Sequence, residues 1–438
     1  MTDKQKLPHI VVVGGGAGGL ELVTTLGKKL SKKKKAKVTL VDKNRIHIWK
    51  PLLHEVATGS LDTDIDAVVY RAHSTSHGYS FQLGELDSID RNSKTISLMP
   101  VLDDRQRMVL DRREIKYDIL VLAVGSVCND FGIPGVEEHC IMLDSQAQAQ
   151  AFRNQLLNEF LKNSQISNSD EEPPITCLAI AGAGATGVEL SAELHHVVDL
   201  LEMYNIDSSY PQILSINLIE AGPSILPALP ERIAKAACTQ LEKLGVQVRT
   251  NTKIVEASND GFTVEGGALI AADLMVWSAG VKAPDWLADV GLQTTRTNKI
   301  ECLKTLKSKS DDAIYVIGDC CDISMECGKP VPPRAQAAHQ MADTVARNIC
   351  NELKGKEIKN FIYKDYGSLI NLSRFSTVGS LMGNLSKGSM MIEGRIARFV
   401  YLSLYRMHQI AIHGAIKGPI IIILSRISKL IRPKIKLH

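Results

Sequence analysis

The run His9-Ile-Val-Val-Val13 passes without a polar break into Gly14-Gly-Gly-Ala-Gly-Gly19, and apolar positions then recur at helical spacing from Leu20 to about Leu30. A short continuous apolar run predicts a buried strand, and the 3.6-residue period predicts an amphipathic helix. Lysines at Lys32 to Lys35 and Lys37 read as a solvated turn before a second strand, Lys37-Val-Thr-Leu-Val-Asp42. The pattern then repeats: strand Thr176 to Ala181, Gly182-Ala-Gly-Ala-Thr-Gly187, a helix through about Leu201, and strand Ser215 to Glu220. Two strand–glycine–helix–strand segments predict an α/β fold with two Rossmann-like units of one architecture. A helix around Gln146 to Lys162 and a polar linker, Asn163 to Pro174, lie between them. Two further strands end in glycine, Tyr117 to Gly125 and Asp273 to Gly280, and a third, Ala313 to Asp319, ends in an acid. Pro332-Pro333 fits the first turn of a helix running to about Leu353. Past Tyr366 small residues dominate, and then basic ones.

The glycine spacing carries chemistry. Gly14, Gly16 and Gly19 match G-x-G-x-x-G between a strand and a helix, where glycine permits a tight turn and lets a pyrophosphate approach the helix N-terminus. Asp42 ends the next strand and is placed to accept hydrogen bonds from a ribose. Gly182, Gly184 and Gly187 repeat the logic with Glu220 as the acid. A carboxylate there repels a 2′-phosphate, so NADH is preferred over NADPH. Each motif has a bland alternative: a glycine-rich turn without ligand, or a duplicate that binds nothing. Gly318-Asp319 at a strand end could hydrogen-bond a flavin's ribityl chain, with the helix after Pro333 aiming its positive end at the isoalloxazine; taken alone, an acid after a strand is more often a helix cap or turn former.

Composition sharpens the picture at one end of the chain. The 438 residues carry a formal charge of only +3, but no acid follows Glu393, and nine Lys/Arg from Arg395 onward leave 42 basic against 48 acidic residues before them. An acidic body with a basic, strongly aliphatic tail favours a negatively charged membrane surface over nucleic acid as partner. Ile396, Phe399, Val400, Met407 and Ile410 follow helical spacing, and so do Ile420, Ile423, Leu424, Ile427 and Ile431. A homodimer contact is the alternative use of such stripes. No apolar window reaches the roughly 18 residues of a spanning helix. Nine cysteines without regular spacing, and no signal peptide, favour a reducing compartment. Cys320, Cys321 and Cys327 lack metal-ligand spacing, so no metal site is expected.

Together the two fingerprints, Ala123-Val-Gly125, Ser278-Ala-Gly280 and the late Gly318-Asp319 resemble the two-dinucleotide-binding-domain flavoproteins. Lys50-Pro-Leu-Leu53, Gly184-Ala-Thr-Gly-Val-Glu189, Ala335-Gln-Ala-Ala-His-Gln340 and the basic C-terminus are similar to type II NADH:quinone oxidoreductases, over essentially the whole chain. The resemblance implies that Gly14, Gly16, Gly19, Asp42 and Asp319 hold FAD, that Gly182, Gly184, Gly187 and Glu220 hold NADH, and that Lys50, Gly125 and Gly280 are further cofactor-binding residues. It places Glu189 close to the nicotinamide and flavin as an orienting or proton-handling group, and Gln336 and Gln340 in a quinone pocket. From spacing alone those two glutamines would be ordinary helix-surface polarity. The first cysteine is Cys128, too late for the redox pair of related disulfide reductases.

The expected organisation is an FAD domain in two parts, 1–145 and 296–375, enclosing an NADH domain, 146–295, with a membrane-associating region at 376–438. The expected activity is non-proton-pumping electron transfer from NADH through FAD to a membrane quinone, peripheral on the cytoplasmic face of a bacterial inner membrane. Two other classes compete: a flavoprotein that senses redox state without turnover, and a soluble NADH-dependent reductase of a protein acceptor.

Overall fold

The apolar runs become strands largely shielded on both faces, as parallel sheets flanked by helices require. The computed structural model describes residues 7–166, 174–202, 214–372, 376–382, 389–393 and 405–431. Its main strands are β1 His9–Val13, β2 Lys37–Asp42, β3 Ser80–Leu83, β4 Ile119–Leu122, β5 Ile141–Met142, β6 Thr176–Ala181, β7 Leu214–Ile219, β8 Gln247–Arg249, β9 Leu274–Trp277, β10 Lys307–Ser308 and β11 Asp311–Val316. They form a six-stranded sheet in the order β10-β11-β4-β1-β2-β3 and a five-stranded sheet in the order β5-β9-β6-β7-β8. All neighbours are parallel except β10 and β11. The helices that matter to the sites are α1 Ala17–Leu26, α2 Leu53–Thr58, α3 Gln146–Ile166, α4 Ala185–Glu202, α5 Ala335–Glu352 and α6 Lys417–Ile431.

Two compact units divide the chain. The first comprises Met1–Trp49, Ala67–Val127 and Val281–Lys364, and the second Lys50–Asp66, Cys128–Gly280 and Asp365–His438. The first unit holds the six-stranded sheet and an antiparallel sheet of Leu86–Asp90, Thr95–Leu98 and Arg113–Lys116. The second holds the five-stranded sheet and its own antiparallel sheet of Ile254–Ser258, Gly261–Val264 and Leu269–Ala271. So the duplication reaches beyond the glycine motifs.

Three segments add detail to the sequence reading. Lys50–Asp66, read with the first part of the FAD domain, groups with the second unit because α2 packs its apolar face on α3 and α4. The first helix stops at Leu26 and gives way to a π-turn over Gly27–Ser31, where a Gly27 Cβ would stand 2.5 Å from the His77 carbonyl oxygen. The stretch after Tyr366, read from the sequence only as rich in small residues, is an antiparallel sheet of Gly367–Leu372, Ser376–Met382 and Ser389–Glu393. Of the tail's first stripe, Ile396, Phe399 and Val400 lie outside the described residues; 405–413 and α6 are helical.

In the first unit α5 packs against α1. Ala338 is close enough that a Gly18 Cβ would meet its carbonyl oxygen at 3.0 Å. His339 bonds through Nδ1 to the buried carboxylate of Glu21. That hydrogen bond raises the His339 pKa above 6.5, against the opposing effect of burial. A raised folded pKa gives stabilisation that is complete below the unfolded value and disappears as pH climbs through the folded one. We expect His339→Gln to lower the melting temperature most below pH 6.5 and progressively less at alkaline pH, as scanning calorimetry across pH would show.

Candidate functional site

The first cradle is built where β1 meets α1. Gly14 takes φ +101°, which lets its N–H donate to the Val41 carbonyl at 2.8 Å. A side chain at Gly19 is sterically barred, since its Cβ would lie 1.8 Å from the Gly14 oxygen. A Cβ at Gly16 would meet nothing within 4 Å, so this glycine keeps a space open rather than a contact close. Asp42 closes the far side: Oδ2 accepts the Gly15 N–H at 2.6 Å and Oδ1 the Asn44 N–H at 2.7 Å. Burial raises the Asp42 pKa, and those two N–H bonds oppose it. The Gly15 carbonyl accepts from Tyr70 Oη at 2.8 Å and from His47 Nδ1 at 2.9 Å, which puts the imidazole proton on Nδ1.

The second cradle repeats the turn and the carboxylate bonds, but the Ala183 carbonyl accepts the Leu226 N–H instead of side-chain donors. Gly182 takes φ +95° and donates to the Ile219 carbonyl at 2.8 Å. A Gly187 Cβ would lie 2.1 Å from the Gly182 oxygen, and Gly184 is again open. Glu220 Oε2 accepts the Ala183 N–H at 3.0 Å and Oε1 the Gly222 N–H at 2.8 Å. Val188 N–H bonds to Gly184 as Leu20 does to Gly16. Each cradle thus pairs a helix N-terminus beside an open glycine with a carboxylate held by backbone donors. That donor set and that space fit a dinucleotide's diphosphate and ribose.

The other predicted residues divide between the units. In the first, Gly125 takes φ +73° and is followed by Ser126, whose Oγ donates to Asp319 Oδ2 at 2.8 Å. Asp319 thereby stands beside Gly125, after Gly318 at φ +80°. Gln336 accepts from Tyr363 Oη at 3.2 Å. Gln340 is clamped on one residue: Nε2 donates to the Lys364 carbonyl at 2.8 Å and Oε1 accepts the Lys364 N–H at 2.9 Å. In the second unit, Lys50 pairs with Asp144 at 2.9 Å. Gly280 takes φ +64°, and a Cβ there would strike Phe131 at 2.5 Å. Glu189, on α4, is buried 3.7 Å from His54 Nδ1.

Sequence reasoning missed several residues. Tyr70, Ser126 and Tyr363 reach their partners over long chain separations, with no local spacing to announce them. Glu193 carries a faint signal, one helical turn beyond Glu189. Cys320 and Cys321 are buried, whereas Cys327 is exposed.

A family model for pyridine nucleotide-disulphide oxidoreductases matches residues 8–342. Among curated proteins, the type II NADH:quinone oxidoreductase of Haemophilus influenzae is 44% identical, covering 99% of this chain and 100% of the relative. That of Staphylococcus aureus is 30% identical, covering 87% and 90%. The solved structure of NDH2 from Plasmodium falciparum in complex with NADH shares the fold with a TM-score of 0.81 at 19% identity, covering 98% of this chain and all of that one.

Proposed function

This chain belongs to the pyridine nucleotide-disulphide oxidoreductases and, within them, to the type II NADH:quinone oxidoreductases, and from that premise we propose how its residues divide the work. It is an NADH:quinone oxidoreductase that works through FAD. When bound, FAD accepts a hydride from NADH and returns two electrons to quinone. The chain's own residues bind, orient and shield. The first cradle, with Asp42, holds the adenosine diphosphate half of FAD. Gly125 and Asp319 bracket the ribityl side, and Ser126 fixes the carboxylate. The second cradle, with Glu220, holds NADH, and Gly280 makes way for the Phe131 ring in the same unit. Lys50, tethered to Asp144, is a further cofactor-binding residue. Gln336 lines the quinone pocket with its amide, while Gln340 serves it by pinning Lys364. Glu189 handles a proton rather than attacking a substrate.

The observation that carries this reading is the duplicated cradle: two open glycines, each facing a carboxylate already fixed by backbone donors. The test is anaerobic rapid mixing of FAD-loaded protein. We expect flavin bleaching by NADH and not NADPH, then fast recovery on adding a short-chain ubiquinone. Fast bleaching with slow recovery would favour a redox sensor or a protein acceptor instead.

Attachment is peripheral in this proposal, at the cytoplasmic face and beside anionic lipid. Among the described residues no helix is long and apolar enough to cross a membrane. Ile416, which is 80% exposed, and Ile420, Ile423, Leu424 and Ile427 of α6 all present apolar surface to solvent. An exposed aliphatic face in a cation-rich, acid-free segment suits an interfacial helix. Ile420→Glu with Ile423→Glu should weaken sedimentation with anionic phospholipid vesicles by roughly 100-fold, from two lost apolar burials plus charge repulsion. Reduction of soluble ferricyanide should stay unchanged.

A further inference from the structure

One face of the six-stranded sheet carries polar side chains where parallel strands ordinarily bury apolar ones. His9 and Lys37 open β1 and β2, Thr39 follows on β2, and Ser80 and Gln82 lie on β3. Register and alternation put all five on the same face. A cavity of about 360 Å³ in the first unit lies against this face. Its other wall is Arg113–Lys116, an edge strand of the antiparallel sheet. The cavity is separate from the first cradle, which stands at the opposite end of β1, roughly 13 Å away along the strand. Lys37, Arg113 and Lys116 bring three permanent cations to the walls, and among the described residues Glu114 is the single acid there. The exposed lysines Lys32 to Lys35 lead into Lys37 and add a cationic approach.

Arg113 points most directly to a ligand. Its Nη2 donates to the Leu83 carbonyl. Gly84 makes room for the guanidinium, since a Cβ there would stand 2.9 Å from Nη2. Nε and Nη1 are buried, and no group among the described residues accepts from either. A guanidinium cannot shed its charge in a protein, so burying it with donors unspent is strongly unfavourable unless an anion takes them. Packing alone would be met by a methionine of similar length. The excess of fixed cations over one carboxylate suits a doubly charged anion rather than a single carboxylate.

His9 senses the same charge. Its Nε2 lies 2.8 Å from Thr39 Oγ1, which lies 2.9 Å from Ser80 Oγ. Burial and the Lys37 ammonium hold the His9 pKa below 6.5, opposed by a hydrogen bond to the Lys116 backbone and by Asp118. The Asp118 carboxylate is engaged by the His9 main-chain N–H at 2.6 Å. The charged groups around the ring are thus Lys37 from β2, Arg113, Glu114 and Lys116 from the edge strand, and Asp118 just after it.

We propose that this cavity binds a phosphate group, free or carried by a small ester, with Arg113, Lys37 and Lys116 as its cationic partners and His9 at its inner wall. A bound dianion offsets the Lys37 charge, so His9 takes up a proton as the site fills. The site takes no part in hydride or electron transfer and goes beyond the NADH:quinone reading.

The test uses the full-length, FAD-loaded enzyme with saturating NAD+, so that both cradles are filled, at constant ionic strength. Calorimetric titration with inorganic phosphate should show saturable, one-to-one binding. Arg113→Met should weaken it about tenfold or more, the loss of a charged donor set. Lys37→Gln should act in the same direction less strongly, and Arg113→Lys replaces the methionine variant if that one does not fold. Phosphate should raise the melting temperature of the wild type and not that of Arg113→Met. Ferricyanide reduction by NADH, measured without phosphate, should be the same in all of them. Sulfate, which stays doubly charged, should bind more tightly as pH falls through the His9 titration, and His9→Gln should flatten that dependence. Competition by glycerol 3-phosphate assigns the group to a free ester, and competition by phosphatidate vesicles alone assigns it to a lipid headgroup. No saturable binding at millimolar phosphate, or equal affinity in the wild type and in the Arg113 and Lys37 variants, overturns the site.

Discussion

Gly19→Val will produce a protein that retains no FAD, while Gly16→Ala, three residues away, will fold normally and bind FAD more weakly. The two glycines look alike in sequence but differ in what surrounds them. A Cβ at Gly19 would sit 1.8 Å from the Gly14 oxygen, so the whole β1–α1 turn must open. Overpacking of that kind at a strand–helix junction costs ~3 kcal/mol or more and destroys the cradle it sits in. A Cβ at Gly16 touches nothing within 4 Å of the protein. The apo protein should therefore melt within ~1 kcal/mol of wild type. On the proposed assignment the methyl group enters the space of the diphosphate, and an affinity loss of ~2 kcal/mol is about 30-fold. Bound flavin per polypeptide after gel filtration, with thermal melts of the flavin-free proteins, separates the two effects. Stoichiometric flavin in Gly19→Val would show that the turn tolerates what its geometry forbids. In the second unit, Gly184→Ala should raise the KM for NADH and leave flavin content untouched.

What was legible in the sequence was local. A buried parallel strand is a contiguous apolar run, and a cradle is a glycine spacing, so β1, β2 and β6 with both fingerprints could be placed without a partner in view. Asp42 and Glu220 were legible because each ends a strand whose neighbour begins a cradle. Contacts between distant segments were not legible. The two donors to the Gly15 carbonyl, His47 and Tyr70, come from a stretch of short elements with no sustained period. His54 resembles an ordinary packing histidine until the burial of Glu189 and Glu193 beside it is known. The sheet at Gly367–Glu393 was hidden for another reason: its strands carry Gly367, Gly379 and several serines, which blur the period-two alternation. Gln340 shows the opposite limit. Its place on the helix was readable, but not that both ends of its amide are spent on Lys364.

Glu220→Gln will lower the NADH over NADPH selectivity by roughly 100-fold, through two separate effects on the same carboxylate. Two backbone donors, Ala183 N–H at 3.0 Å and Gly222 N–H at 2.8 Å, hold the group at the end of β7. A carboxylate pinned in this way cannot swing aside when a 2′-phosphate arrives. Two unit charges about 5 Å apart at an effective dielectric near 20 repel by ~3 kcal/mol, and solvent reduces that to ~2 kcal/mol. The glutamine removes this repulsion and so admits NADPH. It also replaces a charged acceptor for the ribose hydroxyls by a neutral one, which costs NADH about 1 kcal/mol. Flavin bleaching rates with each nucleotide, taken as kcat/KM, report the ratio directly. Asp42→Asn is the matching change in the first unit. It should reduce bound flavin without shifting nucleotide preference, because the adenosine ribose of FAD carries no phosphate to discriminate. If Asp42→Asn altered the NADPH ratio and Glu220→Gln did not, the assignment of the two cradles would have to be exchanged.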